Sequence, residues 1–250
     1  MIFTEDDRKR IQERVLRIAA EDARVVGGAI VGSLAVSEGD RWSDLDLTFA
    51  VADDVSIADV LEDWTGTLTE EFDAIQLFDL PSGTSIYRVF LLPGCLQFDL
   101  SFTPASSFGA TSPKFRLLFG SAVAKSQTTP PATRELFGYA VHHALRARIC
   151  IERGRYWQAE YWLSAARDYG LSLACRNRGL VASHGRGFDD LPIDVRERFQ
   201  CALPTSLRPE ELLTVLSAAI DALLEESTEL GEVATRIGPR LRSLPKPWKL

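Results

Sequence analysis

Cysteine and histidine are scarce in this 250-residue chain, which has four of the first and three of the second. No two cysteines are spaced as a C-x-x-C pair; they are Cys95, Cys150, Cys175 and Cys201. The spacing therefore predicts neither a zinc site nor a disulfide framework. We expect each cysteine to be a small buried apolar residue.

Long apolar runs and an excess of basic residues are also missing. No stretch has the length of apolar sequence that crosses a membrane, and the charged start MIFTEDDRKR has no signal-peptide pattern. These features predict a cytoplasmic protein with no membrane partner. The formal net charge of -7 argues against nucleic acid as the main partner, because binding to a phosphate backbone needs clustered Lys and Arg.

The acidic residues are concentrated in the first part of the chain. Residues 1–110 hold 20 of the 35 acidic residues and 8 of the 28 basic ones. An acidic half could bind a metal ion and a cationic substrate, and a more basic half could bind a polyphosphate. The alternative is that both halves are ordinary solvated surfaces.

The most informative segment is VVGGAIVGSLAVSEGDRWSDLDLTFAV, residues 25–51. It predicts an apolar strand that ends at Gly32 and Ser33, then a polar loop, then a second strand that opens at Ser43. A glycine allows close backbone approach and a serine supplies a hydroxyl, and the two together suit a phosphate group.

Two carboxylates share one face of the second predicted strand. Side chains alternate along a strand, so Asp44 and Asp46 point to the same side as Thr48. The opposite, core-facing side carries Leu45, Leu47 and Phe49. Adjacent anions repel each other, and the pair therefore favours a bound cation, most simply Mg²⁺.

A third carboxylate follows on a later predicted strand, CLQFDLSF at residues 95–102. Asp99 faces one way with Gln97 and Ser101, while the apolar residues between them face the other way. Three carboxylates on neighbouring strands can coordinate two divalent ions. The alternative is that Asp99 is only a solvent-facing residue of a half-exposed strand.

The order of predicted elements indicates an α+β chain. The first part alternates helices (5–20 and 55–72) with short strands, including 74–80, 85–92 and 95–102. A polar segment at 125–131 reads as a linker, and helices are predicted at 132–151, 155–178, 191–202 and 209–235. We predict a small mixed β-sheet with flanking helices at residues 1–128, followed by an all-α helical bundle at 129–250. The last stretch, 236–250, is predicted to be a loosely held tail.

The three carboxylates and the Gly-Ser pair together resemble a known signature. Gly32-Ser33, then Ser43-Asp44-Leu45-Asp46, then Asp99 on a later strand is similar to the nucleotidyltransferase superfamily with a DNA polymerase beta-like catalytic domain. Roughly residues 20–105 carry this resemblance. A minimal catalytic domain followed by helices resembles the antibiotic nucleotidyltransferases, which adenylylate aminoglycosides or lincosamides.

The resemblance implies a role for each matching residue. Asp44, Asp46 and Asp99 would bind Mg²⁺, with ATP as co-substrate, and Asp99 would also orient or deprotonate the acceptor. Gly32 and Ser33 would approach the β- and γ-phosphates, with Ser43 as a further hydroxyl contact. The implied reaction is attack of an acceptor hydroxyl on the α-phosphorus, with release of pyrophosphate.

A glutamate from the helical half acts as the base in some antibiotic nucleotidyltransferases. Glu160, in the segment GRYWQAEYWLSAARD, is the matching candidate here, and Arg167 on the same helical stripe is a candidate nucleotide contact. The alternative is that Glu160 and Arg167 are surface residues or pair with their neighbours.

Two other interpretations remain open. The acceptor could be a protein, as in antitoxin-type minimal nucleotidyltransferases, although those are usually shorter single domains. The helical half could instead have a non-catalytic or ribonuclease-like role, because Arg178 and His184 fit a loose R-x₄₋₆-H pattern.

Overall fold

The computed structural model describes residues 2–126 and 129–247. The chain divides into two compact units, Met1–Thr129 and Pro130–Leu250, called here the sheet unit and the helical unit. The predicted linker at 125–131 includes residues 127 and 128, which lie outside the described residues. No helix within the described ranges combines the length and the apolar character that a membrane span requires.

The sheet unit contains one mixed six-stranded β-sheet and two α-helices. Its elements in chain order are α1 (Glu5–Glu21), β1 (Val25–Val31), β2 (Leu45–Val51), α2 (Ile57–Phe72), β3 (Ile75–Ser82), β4 (Ser85–Leu92), β5 (Leu96–Pro104) and β6 (Phe115–Phe119). The strand order is β3-β4-β5-β2-β1-β6. β2 and β5 are parallel, and the other neighbouring pairs are antiparallel.

One face of the sheet packs against the helices. Leu45, Leu47 and Phe49 are at most 1% exposed, as the alternation in β2 predicts. The Trp64 ring of α2 lies 5.3 Å from the ring of Phe49 and packs edge-on against Phe102 of β5. Burial of these large side chains fixes the register of β2, so its polar side chains must emerge on the opposite face.

Residues 130–247 of the helical unit form five α-helices. They are α3 (Thr133–Glu152), α4 (Tyr156–Asn177), α5 (Ile193–Gln200), α6 (Pro209–Glu226) and α7 (Glu232–Leu241). The small mixed sheet with flanking helices, followed by a set of helices, confirms the predicted α+β fold class. That the two units are separate domains, divided at 128/129, stays a prediction.

Three predictions about element ends were wrong. The helix predicted at 209–235 ends at Glu226, and a short 3-10 turn at Thr228–Leu230 and Gly231, whose positive φ of 52° a helix cannot contain, separate it from α7. The predicted tail is helical as far as Leu241, which is 3% exposed and anchors α7 in the apolar core. The strand predicted at 74–80 continues to Ser82, and Pro81 is tolerated within it because β3 is an edge strand that pairs on one side only.

The prediction that all four cysteines are buried is half correct. Cys150 and Cys175 are buried among the helices, while Cys95 and Cys201 are exposed. Cys95 lies in the short turn between β4 and β5, where its φ is positive at 62°. Turns of this kind run over the surface, which explains its exposure.

Candidate metal and nucleotide site

Three carboxylates converge where β2 and β5 run side by side. Asp46 of β2 is the direct register partner of Asp99 of β5, and Asp44 lies one residue before β2 begins. Each of the three offers an oxygen atom that lies within 4.8 Å of the oxygens of the other two. The sheet therefore brings together the three carboxylates that the sequence singles out.

The environment of these carboxylates favours neutralisation by a cation. All three are partly buried. The pKa of Asp99 is raised by burial and also by the negative charge of Asp44, although a hydrogen bond donated by Gln97 Nε2 at 2.9 Å acts in the opposite direction. A bound divalent cation would relieve this repulsion, and an all-carboxylate oxygen set fits Mg²⁺.

Gly32 lies directly against the Asp46 carboxylate. Its φ of 71° and ψ of -155° fall in a region that is essentially confined to glycine. A Cβ built on Gly32 would overlap Oδ2 of Asp46. The glycine therefore allows the turn after β1 to approach the Asp46 carboxylate, and the approach of Gly32 and Ser33 to a phosphate stays a prediction.

The two predicted serines are joined to each other. Ser33 Oγ donates to Ser43 Oγ at 3.1 Å, and the Asp40 backbone N–H donates to the same Ser43 hydroxyl at 3.0 Å. Through this pair, the turn after β1 is connected to the loop that leads into Asp44. The structure thus holds both hydroxyls beside the start of β2.

Sequence reasoning missed Arg8. It lies on α1, is 7% exposed, and donates from Nη1 to the carbonyl oxygens of Asp40 and Ser43. A signal for it exists in the sequence, because Arg8 falls on the same helical stripe as the buried residues Ile11 and Val15. A charged residue on an apolar stripe requires a specific polar partner.

Glu160 and Arg167 lie in the helical unit, outside the group of three carboxylates. Ser164 Oγ donates to a Glu160 carboxylate oxygen at 2.5 Å, one helical turn away. Arg167 donates to the neighbouring Asp168 from two of its nitrogens. Both contacts are local, and the catalytic role of Glu160 and the nucleotide contact of Arg167 stay predictions.

The two residues of the R-x₄₋₆-H pattern have different surroundings. Arg178 pairs with Glu226, which is 5% exposed, at 2.6 Å. His184 is exposed and has a positive φ of 56°. The ion pair gives Arg178 a structural role within the helical unit.

Comparison by sequence finds no match. No family model matches the chain, and no curated protein matches it.

Comparison with solved structures finds 21 similar chains, two of which are as follows. An aminoglycoside 6-adenyltransferase from Bacillus subtilis is 12% identical, with a TM-score of 0.42 over 96% of this chain and 99% of that chain. A nucleotidyltransferase-like protein from Exiguobacterium sibiricum 255-15 is also 12% identical, with a TM-score of 0.32 over 90% of this chain and 79% of that chain.

Proposed function

We propose that the chain is a Mg²⁺-dependent nucleotidyltransferase that transfers AMP from ATP to a hydroxyl of a small molecule and releases pyrophosphate. The observation that carries the proposal is the convergence of Asp44, Asp46 and Asp99 within 4.8 Å, where Asp46 and Asp99 lie on two parallel strands and Asp44 directly precedes one of them. The Gly-Ser turn lies against the same carboxylates, where a phosphate group can approach the backbone.

The proposed roles follow from position. Asp44, Asp46 and Asp99 would hold Mg²⁺, which would neutralise charge on the phosphates and on the reacting oxygens. Ser33 and Ser43 present hydroxyls that donate to Ser43 and to Asp40 respectively, and each would turn its single hydrogen towards a phosphate oxygen when a nucleotide binds. Asp99 is the carboxylate farthest along the sheet from Gly32, since β5 lies beyond β2, and it would orient the acceptor hydroxyl.

Proton removal from the acceptor needs a carboxylate within hydrogen-bond reach of its hydroxyl. We assign this role to Asp99 or to Glu160, which the family resemblance suggests as a base. The proposed acceptor is an aminoglycoside or a lincosamide, and the proposed setting is the cytoplasm, where ATP and Mg²⁺ are available.

The test is a transfer assay with the purified chain, ATP and Mg²⁺ over a panel of aminoglycosides and lincosamides. Pyrophosphate release is measured together with the mass of each compound, and we expect one compound to gain the mass of AMP. Asp46→Ala should abolish the gain while the circular dichroism spectrum is unchanged. Glu160→Gln should lower kcat by several orders of magnitude if Glu160 is the base, and much less if it only accepts from Ser164.

Two results would separate the parts of this proposal. If no compound gains mass but ATP binds in a Mg²⁺-dependent way, the proposed acceptors are wrong and nucleotidyl transfer stands. If Asp46→Ala transfers AMP as fast as the wild type, the assignment of the metal site is wrong.

A further inference from the structure

Arg8 is a buried cation that contacts the loop in front of the carboxylates. The other Lys and Arg residues of α1 are exposed or partly exposed, whereas Arg8 is 7% exposed and lies on the core-facing stripe of the helix. Its Nη1 atom donates at 2.8 Å to the carbonyl oxygen of Asp40 and at 2.6 Å to that of Ser43. These residues are more than 30 positions away in the sequence, so the contact ties α1 to the loop.

The two carbonyls belong to the two ends of one tight turn. The Ser43 backbone N–H donates to the Asp40 carbonyl at 3.2 Å, and the Asp40 N–H donates back to the Ser43 hydroxyl at 3.0 Å. The Ser43 carbonyl is part of the peptide group that contains the N–H of Asp44. Arg8 therefore fixes the plane of the peptide group between Ser43 and Asp44. This peptide group directly precedes the Cα that carries the Asp44 carboxylate.

The partners of Arg8 are neutral. Among residues 2–126 and 129–247, no carboxylate lies within ion-pair distance of its guanidinium. Burial of a cation without a carboxylate is costly, and an apolar residue on this stripe would pack at lower cost. We attribute this cost to ordering of the loop at residues 37–44, which an apolar residue in place of Arg8 could not provide.

We propose that Arg8 is a positioning residue that holds the Ser43–Asp44 peptide, and through it the Asp44 carboxylate and the Ser33–Ser43 hydroxyl pair, in the arrangement that receives Mg²⁺ and a nucleoside triphosphate. The effect on nucleotide binding rests on the proposed function. The ordering of the loop does not, and it can be measured separately.

The test compares Arg8→Met, Arg8→Lys and Arg10→Met in the full chain. Arg10 is on the same helix, its side chain is 74% exposed, and it pairs with Asp7 on the surface of that helix, so Arg10→Met is the matched control. Backbone hydrogen exchange over residues 37–44 reports loop order, and calorimetric titration with ATP and Mg²⁺ reports binding. Asp46→Ala is the reference for loss of a metal ligand without loss of loop order.

We expect Arg8→Met to speed exchange over residues 37–44 and to weaken Mg²⁺-dependent ATP binding roughly 10- to 100-fold, the usual range for residues that orient metal ligands. Arg8→Lys should be intermediate, because both hydrogen bonds come from a single nitrogen that an ammonium can partly replace. If Arg8→Met does not fold, Arg8→Lys supplies the comparison. Arg10→Met should match the wild type in both measurements, and Asp46→Ala should bind poorly with normal exchange.

Two outcomes would overturn the proposal. One is unchanged exchange over residues 37–44 in Arg8→Met, whatever happens to binding. The other is faster exchange with unchanged Mg²⁺-dependent ATP affinity, which would make Arg8 purely structural. A wild type that binds no ATP with Mg²⁺ would refute the proposed function, and the exchange data alone would then decide whether Arg8 orders the loop.

Discussion

Gly32 combines two constraints, one from its own backbone and one from its neighbour. Its φ and ψ angles lie in a region that costs other residues about 1–3 kcal/mol. A Cβ at this position would also meet the Asp46 carboxylate. Any side chain here must therefore move either the turn or the proposed metal ligand.

Substitution of Gly32 by alanine should damage the site more than the fold. We expect Gly32→Ala to lower the free energy of unfolding by about 1–3 kcal/mol. We also expect it to weaken Mg²⁺-dependent ATP binding at temperatures where the variant is fully folded, so that the loss of affinity does not come from unfolding. Chemical unfolding and calorimetric titration measure the two effects.

Gly66→Ala is the control for this experiment. Gly66 lies on the exposed side of α2 with no atom near its would-be Cβ, so alanine should stabilise the protein by roughly 1 kcal/mol. Normal ATP binding by Gly32→Ala would show that the turn can withdraw from Asp46 without consequence.

At the residue scale, the sequence predicts what depends on local alternation. The shared face of Asp44 and Asp46 follows from the two-residue period of a strand, and the structure has it. The pairing of Asp46 with Asp99 depends on which strands become neighbours, which alternation cannot show. The contact of Arg8 with Ser43 spans 35 positions, and only its place on an apolar stripe hinted at it.

Asp22 connects three elements of the sheet unit. It directly follows α1, accepts hydrogen bonds from the side chain of Arg24 at the start of β1, and accepts one from Trp64 Nε1 of α2 at 2.9 Å. These hydrogen bonds, chiefly those from Arg24, lower the pKa of Asp22 from 3.8 to about 2. Trp64 also packs on the core of the sheet, so this carboxylate helps to orient α2.

The lowered pKa of Asp22 predicts a pH-dependent contribution to stability. The unfolded chain binds a proton at Asp22 more readily than the folded chain, so the contribution is complete above pH 4 and is lost as the pH falls towards 2. The shift in pKa corresponds to about 2 kcal/mol. Asp22→Asn should therefore lower the free energy of unfolding by about this amount at pH 7, and the gap to the wild type should close as the pH falls from 4 to 2.

Urea unfolding at several pH values measures this gap. Asp63→Asn is the control, because Asp63 pairs with the same Arg24 but is 65% exposed and should contribute less than about 1 kcal/mol. A gap between the wild type and Asp22→Asn that stays constant from pH 7 to pH 2 would contradict the linkage.

At the element scale, periodicity predicts which elements exist better than where they end. The apolar pattern of α6 continues through Leu230, Val233 and Ile237, which are partly buried against the same helices, so it hides the break at Gly231. Pro81 is tolerated because edge pairing leaves one side of β3 open. Both errors in the predicted element ends arise because those ends depend on tertiary contacts, which a short window of sequence does not contain.

At the scale of the whole chain, the acidic residues of the first part produce a weaker negative electrostatic field than their number suggests. Many of its carboxylates form ion pairs with a Lys or Arg side chain that lies beside them in the structure. These pairs are Asp7 with Arg10, Glu71 with Arg14, Asp22 and Asp63 with Arg24, Asp79 with Arg88, and Glu38 with Lys114. The three clustered aspartates instead offer oxygen atoms that lie within 4.8 Å of one another. This cluster, rather than the net charge of the chain, therefore favours a bound cation.

The two units have separate buried cores, which predicts separate unfolding. Leu68 in the sheet unit and Leu216 in the helical unit are both fully buried, and truncation of either to alanine should cost about 2–5 kcal/mol. If the units are independent domains, each variant should lower only one of two calorimetric transitions. Leu216→Ala should also leave Mg²⁺-dependent ATP binding unchanged below its transition. A single transition that both variants lower equally would show one cooperative body.

The most direct test of the account is calorimetric titration of ATP, with and without Mg²⁺, into the wild type, Asp46→Asn and Asp54→Asn. Asp54 is exposed in the same unit, so its variant makes the same charge change away from the cluster. We expect one Mg²⁺-dependent ATP site in the wild type and in Asp54→Asn, and affinity weaker by about 100-fold or more in Asp46→Asn. Two results would contradict the proposal that the three aspartates form a metal site for nucleotidyl transfer. One is equal ATP affinity in Asp46→Asn and the wild type, and the other is ATP binding that does not depend on Mg²⁺.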